Sequence, residues 1–114
     1  MDKCLFCEII NQQIPCSKVF ENDQVFAFDD IEPHAPIHVL IIPKKHIKSI
    51  NEIKNEDKNL IGEMFMAAKE IVSIKGIKES GYRTVFNTNQ DAGQTVFHIH
   101  MHVIGGRKMK WPPG

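Results

Sequence analysis

The chain has no surplus of charge: 14 Lys and Arg balance 14 Asp and Glu, for a formal charge of zero. Binding a nucleic acid by neutralising its phosphates needs a basic face, so no nucleic acid is expected as a partner. A mononucleotide, which needs only one small pocket, is not excluded. Long hydrophobic runs are also missing. Nothing is apolar over enough residues to span a bilayer, and no membrane partner is expected. The opening Met1-Asp2-Lys3-Cys4-Leu5-Phe6-Cys7-Glu8 lacks the basic start and apolar run of a signal peptide, so the expected compartment is cytoplasmic. Cysteines are few and odd in number, at positions 4, 7 and 16, which argues against a disulfide framework there. Internal repeats, low-complexity stretches and linkers are absent. The 114 residues are expected to form a single domain, 1–114, burying roughly two thirds of the unfolded surface.

What the chain does have is concentrated near its end. In Gly93-Gln94-Thr95-Val96-Phe97-His98-Ile99-His100-Met101-His102-Val103-Ile104 a histidine stands at every second position from 98 to 102. Phe97, Ile99, Met101 and Val103 alternate with them. A strand sends alternate side chains to opposite faces, so this spacing predicts a strand over 97–104 with an imidazole face and an apolar face, closed by Gly105-Gly106. Three uses of the imidazoles remain open. They could be surface groups on the wet side of a half-buried strand, although three in strict alternation among six histidines in all is a poor fit to that. Neighbours two apart could share a zinc, but positions four apart stand roughly 13 Å from each other. Finally, a neutral imidazole, with an ordinary pKa of about 6.5, is a nucleophile towards phosphorus at pH 7.

The rest of the chain reads as alternating short elements. Leu5, Phe6, Ile9 and Ile10 share a helical face, and Pro15 follows. Residues 17–21 and 24–29 form a hairpin around Asn22-Asp23. Residues 37–43 are a continuous apolar strand, interrupted only by His38. Residues 47–53 are a loop or single turn. Asn55 can cap a long helix whose stripe is Leu60, Ile61, Met64, Phe65, Ala68, Ile71 and Val72, stopped at Gly76. Residues 82–87 are a strand and 88–93 a polar loop. The predicted class is α+β, an antiparallel sheet covered by one main helix. Cys4-x-x-Cys7 is a redox pair, half of a zinc site, or a pair of core cysteines at a helix start; no thioredoxin-like context supports the first.

The triad, together with Phe26-Ala27-Phe28-Asp29-Asp30-Ile31, Ala35-Pro36-Ile37-His38-Val39-Leu40-Ile41-Ile42-Pro43-Lys44-Lys45-His46-Ile47 and Gly105-Gly106-Arg107-Lys108-Met109-Lys110-Trp111-Pro112-Pro113-Gly114, resembles the histidine-triad (HIT) family, and within it the Hint branch of nucleotide-binding proteins. The likeness covers essentially the whole chain. It implies the HIT fold: a five-stranded antiparallel sheet, one long and one short helix, and a homodimer with a continuous sheet.

The resemblance also implies chemistry. His100 becomes the nucleophile that attacks a nucleotide α-phosphate to give a nucleotidyl-histidine. His102 contacts the phosphate and moves a proton to the leaving group, while His98 positions the site or ligates metal. Gly93, Gln94, Thr95 and Asn87 lie by the phosphate, with Thr95 replacing the serine usual in the branch. Asp30 and Ile31 hold the ribose. Leu5, Phe6, Ile9, Phe28 and Ile31 surround the base. Asp29 and His34 depart from the branch pattern near the ribose loop. The tail, including Trp111, crosses to the partner's nucleotide site. No cofactor is required, although Cys4, Cys7, His46 and His98 match the ligands of a structural zinc in some relatives. The implied activity is a purine nucleoside phosphoramidase, cleaving P–N bonds of adenosine or guanosine 5′-monophosphoramidates. Alternatives are a dinucleoside polyphosphate hydrolase, and a nucleotide-binding adaptor with incidental turnover.

Overall fold

A computed structural model describes residues 3–114; Met1 and Asp2, part of the opening stretch read above, lie outside the described residues. The elements in chain order are α1 (Leu5–Ile10), β1 (Lys18–Glu21), β2 (Val25–Asp29), β3 (Ile37–Pro43), α2 (Lys58–Ile74), β4 (Tyr82–Val85), α3 (Asn89–Ala92) and β5 (Met101–Gly105). The strands make one antiparallel sheet in the order β1-β2-β3-β5-β4. This is the expected α+β architecture.

The sheet is buried on both faces. Val25, Ala27, Val39, Ile41, Met101 and Val103 point to α2, where Met64, Ala67, Ala68, Ile71 and Val72 complete the main core. Phe26, Phe28, Leu40 and Ile42 point the other way and pack with Phe6 and Ile9 of α1. Burial on both sides explains why β3 is an unbroken apolar run rather than an alternating one. Ile41 sits at its middle with no exposed surface, paired with Ala27 on one side and Met101 on the other. Ile41→Ala is expected to lower the unfolding free energy by about 2–5 kcal/mol, read from urea melts; a loss within error of zero would contradict this packing.

Four local expectations are corrected. The long helix is not capped by Asn55. A single tight turn at Asn55–Asp57 precedes it, and the buried Asp57 carboxylate accepts from the Lys54 backbone N–H (2.9 Å) and from Lys45 Nζ (2.6 Å). In the helical stripe, Phe65 is exposed and Ala67 takes a core place. The loop 88–93 contains the one-turn α3, because the Gln94 side-chain carbonyl accepts from the Asn89 N–H.

The fourth concerns the triad strand, which begins at Met101 and not at Phe97. The register Ile41↔Met101 would next set Pro43 opposite Ile99. Proline has no N–H to continue the ladder. Ile99 instead donates to the carbonyl of Ile47 (2.6 Å). His98 and His100 therefore lie in a segment held by individual bonds, just ahead of the strand that carries His102.

Candidate active site

The imidazole side of the triad is not a wet surface. His98 and His100 are buried and His102 half-buried. His100 and His102 line a cavity of about 680 Å³ on the α1 face of the sheet, with ring centres 5.0 Å apart. At one end stand Leu5, Phe6, Ile9, Phe28 and Leu40, with Ile14 and Cys16. Asp30, Ile31, Glu32 and His34 form one rim, and Asn87, Gly93, Thr95 and Val96 another. No Lys or Arg lines the cavity among the described residues.

The backbone dictates which nitrogen of each ring carries the proton, since a carbonyl can only accept and an N–H can only donate. His100 Nδ1 lies 2.8 Å from the His98 carbonyl. It must donate, which leaves the Nε2 lone pair bare. The His34 backbone N–H donates to His38 Nδ1 (3.0 Å), so His38 Nε2 carries hydrogen and donates to His102 Nδ1 (2.9 Å). That makes His102 Nε2 a donor. Asp30 Oδ2 stands 3.4 Å from His38 Nε2, and its other oxygen accepts from the Glu32 N–H (2.9 Å). Asp30, His38 and His102 are close enough to suggest a metal site. A metal on His38 Nε2 would force the proton onto Nδ1 against the His34 N–H, so the trio is a hydrogen-bond relay instead.

Burial keeps these rings neutral. It lowers the pKa of His100 against the opposing pull of the His98 carbonyl. His102 is pushed down to about 4, by burial first and then by repulsion from His100 and His38. His38 is lowered by burial as well. The site thus combines a bare imidazole nitrogen (His100), a neutral imidazole donor (His102) and a carboxylate (Asp30) in one apolar-walled cavity. That set can attack an electrophile and hand a hydrogen bond to what leaves.

A second cluster lies behind it. His98 turns away from the cavity: Nε2 donates to the Pro43 carbonyl (2.7 Å), leaving Nδ1 bare. Burial pushes the His98 pKa down to about 4. Facing that nitrogen are Cys4 Sγ (3.3 Å), Cys7 Sγ (3.6 Å) and His46 Nδ1 (3.2 Å), and Cys7 Sγ is 3.5 Å from His46 Nδ1. Ligands at about 2.0–2.3 Å from a tetrahedral zinc would stand roughly 3.3–3.8 Å apart. The four donors fit such an ion, and the Pro43 carbonyl supplies the usual outer partner of a ligating histidine.

Most sequence-predicted site residues line the cavity: Leu5, Phe6, Ile9, Phe28, Asp30, Ile31, Asn87, Gly93, Thr95, His100 and His102. Three do not. Gln94 is buried beside it, donating to the Lys48 and Val96 carbonyls (2.8 and 3.1 Å), and so shapes the loop. Trp111 is 82% exposed and lies over its own chain's Arg83, whose guanidinium is 5.9 Å from the ring centre. His98 belongs to the thiol cluster. Asp29, read as near the ribose loop, pairs with Lys75 at the end of α2 (3.0 Å) and stays out of the cavity, while His34 does line it. Sequence reasoning missed the part played by His38. Its only signal was a polar residue inside an apolar strand.

The family described as "Scavenger mRNA decapping enzyme C-term binding" matches residues 3–111. The crystal structure of a HIT family hydrolase from Legionella pneumophila is 50% identical, with a TM-score of 0.96, covering 98% of this chain and 100% of that one. A histidine triad nucleotide-binding protein from Candida albicans is 30% identical with a TM-score of 0.84, covering 96% and 83%. An uncharacterized HIT-like protein of Synechococcus elongatus is 44% identical over 110 residues, 96% of each chain. At 44% and 50% identity over essentially whole chains, and with the same fold, the chain belongs to the histidine-triad family.

Proposed function

We propose that the protein is a nucleoside phosphoramidase of the Hint type, hydrolysing the P–N bond of purine nucleoside 5′-monophosphoramidates. The observation that carries this reading is the tautomer of His100: Nδ1 is tied to the His98 carbonyl and Nε2 is presented, unprotonated, to the cavity. Support comes from the Candida relative, named as nucleotide-binding, and from the Legionella and Clostridium thermocellum relatives, named as hydrolases.

His100 Nε2 attacks the α-phosphorus, and the P–N bond breaks as the nitrogen takes the Nε2 proton of His102, so that the amine leaves neutral. His102 Nε2–H, oriented through His38, hydrogen-bonds the phosphoryl group and the departing nitrogen. Water then cleaves the nucleotidyl-histidine: its oxygen bonds to phosphorus as the bond to His100 Nε2 breaks, one water proton returns to His102 Nε2, and the nucleoside monophosphate leaves with His100 neutral again. Thr95 and the Gly93 turn present polar groups to the phosphate. Asp30 accepts from the ribose hydroxyls, and Phe6, Ile9 and Phe28 enclose the base. Zinc held by Cys4, Cys7, His46 and His98 would be a closed structural ion that pins α1 to the sheet.

The charge of the lining selects among HIT chemistries. Among the described residues the cavity offers Asp30 and Glu32 and no lining Lys or Arg, so a polyphosphate leaving group would meet carboxylates without neutralisation. An amine leaves neutral or cationic. Adenosine 5′-monophosphoramidate should therefore exceed a diadenosine polyphosphate in kcat/KM by on the order of a hundredfold. Equal rates, or the reverse order, would favour the polyphosphate hydrolase.

The functional unit is a homodimer. β4 is an edge strand, and beside it Tyr82 and Phe65 are exposed, Phe65 packing on Phe86 at 6.0 Å. A second copy adding its β4 would extend the sheet and cover these rings. Pro112 and Pro113 cannot join a strand, and the tail lies on Arg83 of the edge strand β4, which donates to the Lys110 carbonyl (3.1 Å); a second copy added at that edge would bring the tail beside the partner's cavity. Deleting residues 110–114 should leave AMP affinity within a few fold yet change relative kcat/KM among phosphoramidates of different amines. A monomer by sedimentation at micromolar concentration would discard this arrangement.

A further inference from the structure

We infer that the thiol–imidazole cluster and the nucleotide cavity form one coupled unit, in which a zinc ion in the cluster tightens nucleotide binding and a bound nucleotide tightens the hold on zinc. The inference rests on the nucleotide and zinc readings above and goes beyond both, since neither requires the two sites to communicate.

Two residues belong to both sites. The first is His98. Its ring nitrogen faces Cys4, Cys7 and His46, while its backbone carbonyl holds the Nδ1 hydrogen of His100. Whatever moves the His98 ring moves the acceptor that sets the nucleophile's tautomer. Residues 97–100 have no strand ladder to resist such a movement. The Ile99–Ile47 bond, the packing of Ile99 with Ile47 and Leu60, the His98–Pro43 bond and the cluster anchor them.

The second is Phe6, which lies on α1 between the two cysteines. Its ring meets His100 edge-on at 5.1 Å and His98 at 6.0 Å, and it also lines the cavity beside Phe28, 5.5 Å away. α1 has six residues and Cys4 as its cap, with the Cys7 N–H directed at Cys4 Sγ. A helix that short does not stand without tertiary anchors. Metal on Cys4 and Cys7 would fix one wall of the cavity, and metal on His98 would fix the carbonyl behind the nucleophile. A nucleotide packed against Phe6 would in turn hold the same helix in place for the metal. Binding energies linked in this way are reciprocal.

The native protein, zinc-loaded and chelator-stripped, tests this in three readings. AMP affinity of each form is measured by calorimetry. Zinc affinity is measured against a chromophoric chelator with and without saturating AMP. Amide spectra are recorded for the two forms. AMP should bind about tenfold tighter to the loaded form, and AMP should raise zinc affinity by the same factor. Stripping should shift the amides of residues 4–11 and 97–100 and leave those of α2 in place. His46→Gln, at a residue that does not line the cavity, should weaken both ligands. Both ligands binding with affinities unchanged by one another would overturn the coupling alone. No AMP binding in either form would overturn the nucleotide reading with it, and no zinc uptake would overturn the metal reading with it. Loss of spectral dispersion throughout the stripped chain would also overturn the inference, since zinc would then hold the whole fold and not this site.

Discussion

His100→Asn should bind AMP nearly as well as the native protein and turn over phosphoramidate at least about a thousandfold more slowly. The side-chain amide of Asn can still donate towards the His98 carbonyl and fills much of the imidazole's volume, so the cavity keeps its shape. What it lacks is a nitrogen lone pair able to form a bond to phosphorus. A native-enzyme intermediate should be visible as AMP on His100 after rapid alkaline quench and mass measurement. Alkaline conditions are needed because a phospho-histidine bond is labile in acid. Turnover in the variant close to native would sink the covalent mechanism. A large loss of AMP affinity with turnover per bound substrate intact would instead make His100 a binding group.

Acid should destabilise the fold from about pH 6.5 downward. In the unfolded chain His102 takes up a proton near its ordinary pKa of 6.5, while in the folded chain burial holds protonation off to about 4. Between those values the unfolded state binds more protons, so stability falls as pH falls. Its full value is present above about pH 6.5 and the loss is complete near pH 4. A fall from 6.5 to about 4 corresponds to on the order of 3 kcal/mol, and nearer ~2 once screening of the half-buried ring is allowed for. For a domain of this size that is a large part of the total. Urea melts of the native protein and of His102→Gln at pH 7.5, 6.5, 5.5 and 4.5 would show it. The native protein should lose stability relative to the variant as pH falls. A difference between the two that stays constant with pH would refute the assignment.

Much of this molecule was legible in local pattern. The apolar run of β3 announced a strand buried on both faces. The period of α2 announced its packing side, and the alternation of His100 and His102 with Met101 and Val103 announced an imidazole face and an apolar face. These signals are local because side-chain direction repeats every 2 or 3.6 residues whatever the partner. The family likeness then supplied roles, and most of the nucleotide-binding residues it named converge on one cavity.

The exceptions are those in which a distant atom decides. Pro43, by having no N–H to give, stops the strand that the histidine alternation predicted. The Pro43 carbonyl turns His98 out of the row of three towards Cys4 and Cys7. Gln94 spends its amide on the Lys48 carbonyl, and Asp29 leaves the ribose loop for Lys75. His38 shows the limit most clearly. Alone in an apolar strand it says nothing of function, and its place between the His34 amide and His102 follows from β3 and β5 being neighbours. Sequence by itself determined which residue types face one another across each element, since periodicity is a property of the backbone. Only the tertiary structure decided which nitrogen of each histidine carries its proton, because that depends on carbonyls and amides brought in from other strands.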